Sequence, residues 1–164
     1  MTPDRKGQTM PLRIERTAPT TAVVTRQFAA PPAHVFAAHS EPALVRQWLT
    51  GPDGWVMARC EIDLRPGGTL RYDWQRTDGS GAFHLTADVL AVEAPHRIEH
   101  VERMFLPDPT PDNTVETRFV ADGGGTRMVM TMRVADAATM DQMLETGMAD
   151  GMEASYARLD ALPR

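Results

Sequence analysis

One cysteine, Cys60, stands in 164 residues. A lone thiol excludes an intrachain disulfide framework and any zinc site built from several cysteines, and it suits a reducing compartment. No apolar run approaches the roughly 20 residues that a membrane-spanning helix needs. The stretch from Met1 to Ile14 has charges and prolines but not the apolar core of a signal peptide. Basic residues are outnumbered 17 to 22 by acidic ones, for a formal net charge of −5, so no basic excess is available for an electrostatic nucleic-acid surface. No GxSxG, Walker A or dinucleotide-binding fingerprint occurs. Gly123-Gly124-Gly125 is not followed by a helical pattern, which makes it a turn and not a phosphate loop. His34 and His39 are five apart and so do not share a helical face, and with His84 and His96 elsewhere no metal constellation forms. These absences predict a soluble, cytoplasmic protein with no metal, no cofactor and no nucleic-acid partner.

What is present is an ordinary globular composition, 42% hydrophobic and 24% charged. The length is that of one domain. Residues 1–19 are polar and punctuated by Pro3, Pro11 and Pro19; they read as a tail, partly disordered, with a short ordered piece at Leu12 to Glu15. The domain proper runs from 20 to 164. Thr20 to Phe28 is rich in β-branched residues and reads as a strand. Pro31-Pro32 ends it and opens a short helix, Ala33 to His39. Ser40 is placed to cap a second helix, Glu41 to Leu49. Six strands follow, Met57–Leu64, Thr69–Arg76, Ala82–Val92, Arg97–Phe105, Thr114–Val120 and Thr126–Val134, with glycine and proline between the apolar runs. Asp136 is placed to cap a long helix from Ala137 to about Leu162, on the order of 35–40 Å long. The order β-α-α-β6-α implies an α+β domain: a curved antiparallel meander whose apolar face is covered by the C-terminal helix.

Side-chain alternation divides the strands into two faces. Leu70, Tyr72 and Trp74 share one face. Pairing Trp74 with Phe83 across the Thr77–Ser80 turn adds Leu85, Ala87 and Val89. The same parity then brings in Ile98, His100, Glu102 and Met104, next Val115, Thr117 and Phe119, and last Met128, Met130 and Met132. The opposite face is charged, with Arg71, Asp73, Arg97, Glu99, Glu116 and Arg118. Two polar residues, His100 and Glu102, thus fall on the apolar face. They are either solvated at its mouth and bonded to each other or to Thr117, or they form a polar spot in a ligand pocket. Gly147, Gly151 and Ser155 make a small-residue stripe, which serves either close helix packing or room for a bound molecule. Seven of the eleven methionines fall between Met128 and Met152, where they fill core space or line a malleable pocket. Cys60 alternates with Ala58 and Ile62 and reads as a buried, inert thiol.

Several local strings resemble one family. Gln27 to Phe36 (QFAAPPAHVF) and Glu41 to Trp48 (EPALVRQW) resemble the opening of the SRPBCC superfamily. Asp63 to Gly68 (DLRPGG), Val89 to Ile98 (VLAVEAPHRI), Gly125 to Met128 (GTRM) and Gly147 to Met152 (GMADGM) narrow the likeness to one group. That group is named after the C-terminal domain of the activator of the heat-shock-protein-90 ATPase. The resemblance implies a helix-grip fold and a cavity for hydrophobic or amphipathic small molecules. It carries over no catalytic residue, because the family has no universal catalytic motif. Many members have tryptophan where Met148 stands, and often a bulky aromatic near Glu102, so both departures imply a reshaped cavity, more polar at one end. The chaperone-activating relatives have a further domain for which this chain has no room.

Binding of a small apolar or amphipathic molecule is therefore the leading expectation. An enzyme of cyclase, aromatase or hydrolase type using the same cavity is the alternative, and an interaction module for chaperone or regulatory partners comes third. Oligomeric state stays open, a homodimer included. The expected ligand site joins Tyr72, Trp74, Phe83, His100, Glu102 and Thr117 on the sheet to Met143, Gly147, Met148 and Gly151 on the helix.

Overall fold

A computed structural model describes residues 11–164. Its elements, in chain order, are β1 (Arg13–Ala18), β2 (Thr21–Phe28), α1 (Pro32–Ser40), α2 (Pro42–Trp48), β3 (Trp55–Ile62), β4 (Thr69–Arg76), β5 (Ala82–Glu93), β6 (Arg97–Phe105), β7 (Asn113–Asp122), β8 (Gly125–Arg133), α3 (Ala137–Glu145) and α4 (Met148–Asp160). The strands form one sheet in the order β1-β2-β8-β7-β6-β5-β4-β3. Every neighbouring pair is antiparallel. The six-strand meander is thus extended by β2 against β8, and by β1 at the edge. Register irregularities in the β1–β2, β3–β4 and β5–β6 pairs bend the sheet locally. The fold is the α+β helix-grip arrangement implied by the sequence.

The hairpins set the register as the alternation predicts. Trp74 pairs with Phe83, Val89 with His100, Thr117 with Met130. Between β7 and β8, Asp122 pairs with Gly125, leaving Gly123 and Gly124 as a two-residue turn with φ of 57° and 87°. Positive φ at both central residues matches the strand twist and is open to glycine at little cost. The outer face carries the expected charges, paired with one another: Arg97 with Glu116 at 2.9 Å and with Glu99, and Arg71 with Asp73 at 2.6 Å.

Three expectations change. Residues 13–18 are not tail: they form β1, a largely exposed edge strand on β2. Of the rest of the expected tail, residues 1–10 lie outside the described residues. Ser40 does not cap α2; it ends α1, its hydroxyl donating to the Ala37 carbonyl, while Glu41 is the N-cap without a side-chain cap bond. The single long C-terminal helix is two helices. Asp136 does cap α3, accepting from the Thr139 N–H at 2.7 Å. Gly147 then takes the left-handed conformation (φ 73°) and is the N-cap of α4. The apolar spacing continues through the break because Met148 resumes the stripe, which is why periodicity alone predicts one helix. At 1.5 Å per residue α4 is about 20 Å long, too short to cross eight strands.

Burial accordingly splits in two. One cluster joins β2, β7 and β8 to α1, Met140 of α3, and Tyr156 and Leu159 of α4. The other lies on β3, β4 and β5, with Tyr72, Trp74 and Leu85 against Val45 of α2. Among the described residues no side chain of α3 or α4 enters that second cluster. No helix among them is long and apolar enough to cross a membrane.

Candidate functional site

The space between the second cluster and the C-terminal helices is a cavity of about 1020 Å³. Its walls come from both clusters. Trp48, Ile98 and Val115 belong to one, and Leu70, Tyr72, Trp74 and Leu85 to the other. The indoles are fixed by backbone bonds: Trp48 Nε1 donates to the Ala38 carbonyl at 2.8 Å and Trp74 Nε1 to the Leu49 carbonyl at 2.9 Å. Trp74 stacks on Phe83 (centroids 4.9 Å apart) and meets Tyr72 edge-on at 5.9 Å. These contacts hold one wall rigid, while Met130, Met132, Met143, Met148 and Met152 supply adaptable surface elsewhere in the lining.

Of the residues expected from the sequence, Tyr72, Trp74, Phe83, His100, Glu102 and Thr117 line this cavity from the sheet, and Met143, Met148 and Gly151 line it from the helices. Gly147 is not among the lining residues, because it has become the hinge between α3 and α4. A Cβ built on Gly151 would meet nothing within 4 Å, so the glycine leaves space and does not serve close packing.

His100 and Glu102 are bonded to each other, Nε2 to Oε1 at 2.7 Å, with side chains 14% and 26% exposed. A carboxylate oxygen only accepts, so Nε2 carries the proton. Nδ1 of His100 is buried with no partner among the described residues, and so is Oδ1 of Asn113, which lies opposite Glu102 across the β6–β7 ladder. Burial pushes the Tyr72 and Tyr156 hydroxyls well above the ordinary phenol range, and the Glu102 charge pushes them in the same direction. Both stay protonated donors at neutral pH. Burial likewise raises the Cys60 thiol, so it is not an activated nucleophile. Among the described residues no group of three or more His, Cys, Asp or Glu is arranged to hold a metal ion.

From the sequence His39 figures only as half of a histidine pair that does not share a helical face. In the structure His39 also lines the cavity, against the rings of Trp48 and Phe119 (5.0 Å each) and Tyr156 (6.3 Å). The signal was available: His39 lies four residues after Val35 and so shares the apolar stripe of α1. Its three ring neighbours come from distant segments, and no spacing rule brings them together.

Residues 29–163 match the family described as Activator of Hsp90 ATPase homolog 1-like protein. The chain is similar to a crystal structure from Rhodobacter sphaeroides, at 30% identity and a TM-score of 0.86 over 92% of this chain and 96% of that one. The protein Ms6760 from Mycobacterium smegmatis is 25% identical, with a TM-score of 0.81 over 96% and 98%. An AHSA1-like protein from Aeromonas hydrophila, 21% identical with a TM-score of 0.66 over 88% and 98%, shares the fold. No curated protein matches the chain.

Proposed function

The chain belongs to the Activator of Hsp90 ATPase homolog 1-like family, and from that premise we propose that it binds a small hydrophobic or amphipathic molecule between the sheet and α3–α4. The observation that carries this reading is the cavity of about 1020 Å³, whose surface is mainly apolar and is built largely from fixed aromatic rings and methionines. That is the usual build of a small-molecule site. Native mass spectrometry of freshly purified protein tests it directly: the expected result is a retained adduct of discrete mass. Gly151→Leu supplies the control, since its side chain enters open space and removes an interior glycine. The variant should lose the adduct and keep its melting temperature. A strongly destabilised Gly151→Leu protein would mean that helix and sheet are in contact and that no binding space exists there.

The His100–Glu102 pair favours one second reading, an enzyme that moves a proton within the same cavity. The carboxylate fixes the tautomer that leaves Nδ1 basic, as a general base requires. It is separated from pure binding by Glu102→Gln, which would leave affinity nearly intact while abolishing turnover of any bound molecule that is chemically changed.

A further inference from the structure

We infer that the occupant of the cavity is a neutral amphiphile with a hydroxyl or phenol donor, and that His39 Nε2 receives that donor; the inference rests on the binding reading above. The tautomer of His39 follows from its own helix. Nδ1 lies 2.8 Å from the Val35 carbonyl, and since a carbonyl only accepts, Nδ1 carries the proton. Nε2 is then a lone pair on the opposite edge of the ring, pointing away from α1. It is buried and has no partner among the described residues. Desolvation lowers the His39 pKa to about 4, with the nearby His100 acting in the same direction, so the ring stays neutral and Nε2 remains an acceptor at physiological pH. A buried acceptor without a donor is costly, and in native proteins such a group is normally satisfied. The ring's neighbours, Trp48, Phe119 and Tyr156, are walls for an apolar body and not competing acceptors.

The charges around the cavity decide against an anion. Among its lining residues three are carboxylates, Asp53, Glu102 and Asp150, and two are arginines. Both guanidiniums are engaged. Arg103 bonds Asp112 at 2.8 Å on the outer side, and Arg158 donates to the carbonyls of Trp48 and Gly51 at 3.0 and 3.1 Å. A fatty-acid carboxylate entering the site would meet Glu102, and to pair with Arg158 it would have to compete with the two carbonyls that this guanidinium already serves.

Three probes separate the possibilities: 4-heptylphenol, its methyl ether and 4-heptylbenzoate. They share the apolar body and differ in the head group, which is a donor, a bare acceptor or an anion. Isothermal titration against the wild-type protein should show the phenol binding about tenfold more tightly than the ether, the difference expected for one buried hydrogen bond, and more tightly than the benzoate. His39→Phe should reduce the phenol to the affinity of the ether and leave the ether unchanged; His39→Gln, whose side-chain oxygen can accept, should restore part of the preference. Equal affinity for phenol and ether in the wild-type protein would overturn the inference while leaving the binding reading in place, and so would tightest binding of the benzoate. Failure of all three probes to bind would overturn the binding reading itself, and the inference with it.

Discussion

Holding His39 neutral has a consequence in acid. Its pKa is lowered from 6.5 to about 4, chiefly by desolvation. Between those values the unfolded chain takes up a proton that the folded protein refuses. Stability therefore falls as pH drops from 6.5 towards 4, by up to about 3 kcal/mol. Urea denaturation across that range should show this slope, and His39→Phe should flatten it. A second acid-sensitive group is Glu153 on α4. Arg26 of β2, whose side chain is only 3% exposed, bonds both Glu153 oxygens, at 2.9 and 3.2 Å, and reaches Asp160 at 3.4 Å. The Arg26 hydrogen bond holds the Glu153 carboxyl below its usual range. A depressed carboxylate stabilises above its unfolded pKa and ceases to do so as pH falls through the folded one. Glu153→Gln should cost about 1–2 kcal/mol at pH 7, less than for a fully buried pair because Glu153 is partly solvated and Asp160 remains. The loss should shrink below about pH 4, which denaturation at two pH values would show.

At the scale of elements, two glycines four residues apart carry opposite roles. Gly147 needs its left-handed backbone, while Gly151 lies inside α4 with free space around it. Gly147→Ala should destabilise by about 1 kcal/mol, and Gly151→Ala should stabilise by a similar amount. Thermal melts of the two variants should move in opposite directions. From the sequence these positions look alike, both being glycines within one apolar period, and only backbone conformation tells them apart. Strand register was far more legible. Alternation in β4 to β8 is broken only by the irregularity at Val89–Ala91, the turns are marked by glycine or proline, and a slip of one residue would bury Arg97 and Glu116. The first strand was harder to see because, as an exposed edge on β2, it needs no inward apolar alternation.

At the scale of the molecule, the concave face and most of the expected lining follow from parity, since Tyr72, His100 and Thr117 needed only correct hairpins. What parity does not reach is how helices from opposite ends of the chain meet above the sheet; His39 and Tyr156 enter the cavity by that route. The partition of the core into two clusters bears on how the protein comes apart. Among the described residues no apolar side chain of α3 or α4 joins the β3–β5 cluster, so these strands should open as a cooperative unit with a lower free energy than β2, β7 and β8. Native-state amide exchange should find the slowest protons in Val24, Phe119 and Met128 and faster ones in Tyr72 and Leu85. A molecule lodged against both walls would tie the two units together, and the exchange rates of the weaker one would then fall towards those of the stronger. Occupancy would be read in the timing of backbone opening on β4, on the opposite side of the cavity from His39.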